Sequence, residues 1–138
     1  MLGSNLIKHN CRGQAVISLS TAESEYYGLV SGISCTLGDV ALAIDLGHKL
    51  GAHIWMDATA GIAIGSRRGL GRVKHIDTVF LWCQQMVTDG RVKIGKKNTH
   101  GMLADILTKF VPEATMNRLL ANMGMMFVSG SHRLAYTN

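Results

Sequence analysis

Nine Asp and Glu in 138 residues leave few places where acids can meet, and the candidates for chemistry are Glu23, Glu25, Asp57, Asp77 and Asp105. Hard cations such as magnesium need carboxylate oxygens held near one another. Asp57 closes the apolar run His53-Ile54-Trp55-Met56 and precedes the small residues Ala58-Thr59-Ala60-Gly61, the pattern of a buried strand running into a helix. It either caps that helix over residues 58–65 or presents a free carboxylate to a ligand, and the local sequence favours neither reading. Glu25 falls in the first turns of a helix opened by Ser20-Thr21-Ala22-Glu23, in which Ser20 or Thr21 can cap and Glu23 can reach back to free amide donors. Asp105 is embedded in Met102-Leu103-Ala104-Asp105-Ile106-Leu107, and an acid in such surroundings needs a partner or a metal. For Glu25 and Asp105 the simpler reading is a first-turn acid favoured by the helix dipole.

The stretch from Arg67 to His75 is glycine-punctuated and carries four fixed positive charges, Arg67, Arg68, Arg72 and Lys74. An isolated basic run is usually a solvated face, but its nearness to Asp57 and the net charge of +5 favour phosphate binding, with Lys93, Lys96 and Lys97 extending the surface. Other chemistries are poorly supported. Cys11, Cys35 and Cys83 are odd in number and far apart, which points to neither a disulfide framework nor a zinc site, and fits a reducing compartment. His75 and Asp77 lack a further nearby Cys or His for zinc. Ser20 and Ser24 have no nucleophile elbow around them, and the methionines at 116, 123, 125 and 126 read as helix core.

The elements that must position these groups follow from periodicity. Asn5 to Ser20 reads as a strand and an extended approach. Tyr26, Leu29, Val30, Ile33 and Leu37, then Ala41, Ile44 and Leu50, recur at helical spacing through about Lys49, with a break expected near Gly38. A strand at 53–56, a helix over 58–65, the basic loop, a helix over 79–87, the Asp89-Gly90 turn, a strand at 91–95, a helix from about Met102 and an amphipathic segment after Pro112 complete the order. That alternation predicts an α/β domain with a partly parallel sheet, whose ligands gather at strand carboxyl ends. The length and the 47% hydrophobic content suit one domain with a real core, expected over residues 1–128, with 129–138 a frayed tail. No uninterrupted apolar run reaches about 18 residues and no signal peptide is evident, so a soluble intracellular chain without a membrane partner is expected.

Four strings together carry a resemblance: residues 14–29 (QAVISLSTAESEYYGL), 56–63 (MDATAGIA), 67–77 (RRGLGRVKHID) and 103–109 (LADILTK). In this order they resemble the ribonuclease H domain of Ty1/copia-type retrotransposon polyproteins. The resemblance implies a ribonuclease H-like α/β fold, a five-stranded mixed sheet flanked by helices. It implies hydrolysis of the RNA strand of RNA–DNA hybrids during reverse transcription, with four acids around two magnesium ions and manganese as an alternative. Glu25, Asp57 and Asp105 match three of those acids, and Asp77 competes with Asp105 for the fourth position. His100, five residues before Asp105, is a candidate general acid, with a solvated loop histidine as the simpler reading. The family's first acid lies on its central first strand, expected upstream of residue 1, so the match is to an N-terminally truncated domain. Its partners would be the RNA–DNA hybrid, the upstream reverse transcriptase segment, and a second copy at the vacant sheet edge. The expected location is the cytoplasmic retrotransposon particle, with the nucleus as the alternative. The rival expectation is a non-catalytic remnant that binds nucleic acid or serves as a structural part of a reverse transcriptase.

Overall fold

A computed structural model describes residues 1–71 and 76–125. Its longest helix begins at the cap the sequence offers. Ser20 Oγ accepts from Glu23 N at 3.2 Å, and the Glu23 carboxylate accepts from Leu19 N at 2.9 Å, so two otherwise orphaned amides are satisfied at once. Helix α1 (Thr21–Asp45) runs through Gly38 without the expected break. Tyr26, Leu29, Val30 and Ile33 form a buried stripe on it, and that packing supplies the stability the glycines withhold. It stops where Gly47 takes a φ of +83° and His48 N closes on Ala43 O at 2.8 Å. Past the core the pattern fails: Ile44 and Leu46 are exposed, and Ala43 is buried in place of Ala41. With a mean hydropathy of 1.5 over its best window, α1 is long and apolar enough to cross a membrane by composition alone. Scattered polar residues interrupt its apolar run, so no unbroken stretch shows this in the sequence. One face of α1 packs in the core, and 22% of that window is buried.

Strands β1 (Ala52–Met56) and β2 (Val92–Lys96) pair in parallel, in register from Ala52 opposite Val92 to Met56 opposite Lys96. Lys97 N extends the ladder to Met56 O at 2.8 Å. Parallel neighbours require a crossover. Here it contains α2 (Thr59–Gly65), a 3-10 turn (Thr78–Leu81) and α3 (Trp82–Thr88). Ala52, Met56 and Val92 are buried in one core with α1, Ile64 of α2, Ile76 and Cys83 of α3. Gly61 and Gly65, one turn apart, let α2 come close: a Cβ at Gly65 would lie 2.5 Å from Leu29 Cδ2 and 3.1 Å from Ile94 Cδ1. The alternate residues His53, Trp55 and Lys93 are exposed, and the Trp55 and His53 rings stack with centroids 4.1 Å apart over Gly95.

The result is a mixed helix-and-strand architecture compatible with α/β, with the expected parallel pairing but two strands among the described residues. The strand expected between Asn5 and Ser20 does not form. Residues 1–20 make one isolated bridge, Leu2 with Asn5, and Ile17 is 88% exposed. A β-branched sequence favours extended backbone, but a strand also needs a ladder partner, and in the described sheet β1 and β2 pair with each other alone.

The chain divides into two compact units, residues 12–100 and residues 1–11 with 101–138. Everything above from α1 to β2 belongs to the first. A 3-10 turn (Thr99–Gly101) leads into the second, which contains α4 (Asp105–Thr108) and α5 (Glu113–Asn122), the latter preceded by Pro112 at its cap. Leu119 and Met123 are buried there, and Leu6 N donates to Met123 O at 3.0 Å. The expected frayed tail lies outside the described residues.

Candidate functional site

Asp57 follows the last residue of β1, at the carboxyl end of a parallel strand. The capping alternative does not hold for its side chain: the cap residue of α2 is Ala58, and no side chain bonds the helix start. Asp57 is half-buried, and among the described residues its carboxylate has no hydrogen-bond or ion-pair partner. Glu25, the fifth residue of α1, is likewise half-buried and without such a partner among the described residues. It meets α2 at Gly61, where a Cβ would lie 3.2 Å from Glu25 Cβ and 2.8 Å from Met56 Cε. Gly61 lies in the first turn of α2 and Asp57 directly follows β1, so both acids border the junction of α1, β1 and α2.

The other candidate acids, Glu23, Asp77 and Asp105, are engaged. Glu23, 2% exposed, accepts from Tyr27 O–H at 2.7 Å as well as from Leu19 N. Burial, and then the bond to Glu23, pushes the Tyr27 hydroxyl up to about 12. Asp77 Oδ1 caps the 3-10 turn by accepting from Val79 N at 3.1 Å. Asp105 opens α4 in the other unit and pairs with Lys109 one turn on, at 2.9 Å. Among the described residues no three His, Cys, Asp or Glu side chains are grouped to hold a metal ion.

Positive charge reaches the same sheet end as Asp57. Lys96 stands opposite Met56 in register, and Lys97 follows it. In the basic loop the arginines divide. The Arg67 guanidinium donates to Leu70 O and lies over Gly71, whose φ is +57° and whose added Cβ would fall 2.6 Å from Arg67 Cζ. Arg68 is exposed, with no hydrogen-bond or ion-pair partner among the described residues. Arg72 and Lys74, expected to bind phosphates, lie outside the described residues. His100 is exposed in its 3-10 turn, where its backbone N–H donates to Asn98 Oδ1 at 3.1 Å. A concavity of about 310 Å³ adjoins the loop, lined in part by Arg68, Gly69 and Gln84, and lies there rather than at the two acids.

Gln84 is the residue sequence reasoning missed. It is 4% exposed and bonds the loop at Gly69 as well as α2 at Ile64. A glutamine in an amphipathic helix carries no sequence signal for burial, because its usual place is the solvated face. The Tyr26 hydroxyl, Cys83 Sγ and Phe80 O form a second buried knot, with Tyr26 donating to Phe80 O at 2.9 Å. Burial pushes both the Tyr26 hydroxyl and the Cys83 thiol above their ordinary values.

Over 101 residues, 72% of its length, the chain is 31% identical to the retrovirus-related Pol polyprotein from transposon TNT 1-94 of Nicotiana tabacum. The chain is a homologue of part of a retrotransposon Pol polyprotein. It spans 8% of the length of that relative. No family model and no solved structure matches it.

Proposed function

We propose that this retrotransposon Pol segment is a ribonuclease H part of its polyprotein, acting in two-metal-ion hydrolysis of the RNA strand of RNA–DNA hybrids during reverse transcription. The observation that carries the reading is the bare Asp57 at the carboxyl end of β1, with Glu25 at the same three-element junction. Carboxylates to which the described residues offer no donor are the hard oxygen ligands that magnesium takes. Glu25 and Asp57 would hold magnesium, or manganese in its place. Bound metal would activate water and stabilise the departing oxygen. The chain's own part is to hold those oxygens in place and to seat the hybrid's phosphates on Arg68, Lys96 and Lys97. The other partners in this reading are the remaining segments of the polyprotein, with the upstream reverse transcriptase segment supplying a further acid on a strand, and the setting is the retrotransposon particle.

The test is cleavage of a labelled RNA–DNA hybrid in magnesium, by the chain alone and with an added peptide carrying an Asp-bearing strand. Cleavage in either arm that Asp57→Asn abolishes supports the nuclease reading. No cleavage in both arms overturns it, and retained salt-sensitive binding then identifies a nucleic-acid-binding remnant.

A further inference from the structure

Arg68 is held out by its neighbours' bonds rather than by its own. At the next residue, Gly69, the backbone N–H donates to Gln84 Oε1 at 2.7 Å and the backbone carbonyl accepts from Gln84 Nε2 at 3.1 Å. The same Nε2 donates to Ile64 O at 2.9 Å, in the last turn of α2. One buried amide on α3 therefore grips both backbone polar groups of a loop residue and ties them to a core helix. Arg67 adds a second tie through its bond to Leu70 O, with its guanidinium over Gly71. Both ties act on loop backbone, and Arg68, between them, keeps its guanidinium exposed.

A cation on a mobile loop loses affinity to the entropy of ordering that loop on binding, whereas a loop fixed beforehand does not. The geometry points to Gln84 as a positioning residue that holds the Arg67–Gly71 loop so that Arg68 meets a phosphate of a bound nucleic acid. Gln84 itself touches no ligand. The inference rests on the reading that this loop binds the RNA–DNA hybrid.

Equilibrium binding of a fluorescent hybrid across a salt series tests it, with the unmodified chain, Arg68→Gln, Gln84→Met and the double variant. Arg68→Gln should weaken binding roughly threefold to tenfold and make the slope of log affinity against log salt shallower by about one. Gln84→Met, similar in size but without the amide, should reproduce much of both effects, and the double variant should bind no worse than the poorer single one. Fully additive losses, or a Gln84→Met chain with unchanged affinity and slope, would overturn the role of Gln84. If Arg68→Gln changes nothing, the phosphate-binding reading of the loop fails, and the inference falls with it. Should Gln84→Met not fold, amide hydrogen exchange in the unmodified chain decides. The Gly69 amide should be protected before any nucleic acid is added, and exchange at an unprotected rate refutes a preformed loop.

Discussion

Glu23 and Asp57 stand in comparable places, each an acid where a helix starts, and the fold treats them oppositely. Around Glu23 the chain gathers the Leu19 amide and the Tyr27 hydroxyl, so that a carboxylate 2% exposed keeps hydrogen bonds in place of water. Around Asp57 it gathers nothing: α2 starts at Ala58 without a side-chain cap, and the half-buried acid has no partner among the described residues. The first arrangement builds a helix. The second leaves a carboxylate without a protein donor among the described residues, so the fold draws no hydrogen bond from it.

Changing each acid should therefore split the two properties. The largest effect is expected from Asp57→Asn, which should lower hybrid cleavage about 1,000-fold, or about 4 kcal/mol, in a magnesium assay. Its melting temperature should stay within about 2 °C of the parent's, because no internal bond is lost. A large drop in melting temperature would make Asp57 a structural acid and dissolve the contrast. Next is Glu23→Ala, expected to cost about 3 kcal/mol in urea unfolding, because it strands the Leu19 amide and Tyr27 hydroxyl where water is scarce.

A smaller effect tests the junction that brings Glu25 beside the end of β1. Gly61→Ala places a methyl 2.8 Å from Met56 Cε and 3.2 Å from Glu25 Cβ, so stability should fall by about 2 kcal/mol and cleavage with it. Denaturant unfolding and the hybrid assay, run on one preparation, would show whether the two losses move together. The smallest effect concerns Tyr27. Its hydroxyl titrates near about 12 in the folded chain and near about 10 when unfolded, so the folded state holds more protons between those values. Stability fully present below about pH 10 should accordingly be lost as pH rises toward about 12. Tyr27→Phe should flatten that alkaline loss while costing about 1 kcal/mol at neutral pH, read from melts across the pH range.

Much of the frame was legible in the residues. Ser20 and Glu23 announced the start of α1, the Asp89-Gly90 turn with Gly90 at φ +71° announced β2, and strand-helix alternation announced parallel pairing. The four strings pointed to a retrotransposon polyprotein, and the match to the tobacco transposon Pol supports that much. Asn5 to Ser20 misled because extended propensity is local whereas a strand's hydrogen bonds belong to a neighbour distant in sequence. The break expected at Gly38 failed for the complementary reason, since a buried stripe can carry a helix across a poor helix former. Arg67 and Arg68 are adjacent and alike in type, yet one closes the loop on Leu70 and the other faces solvent.

By itself the sequence determined the Ser20 cap, the Asp89-Gly90 turn, the stripe from Tyr26 to Ile33 and the order of strands and helices, and it placed Asp57 after a strand, because each of these is an interaction among residues close along the chain. Only the tertiary structure decided that Glu25 meets Gly61 of α2, that Asp57 caps nothing, and that Gln84 turns inward to grip Gly69. Those outcomes depend on which donors and which surfaces three separate elements bring within a few ångströms of one another, and no spacing along a single segment encodes them.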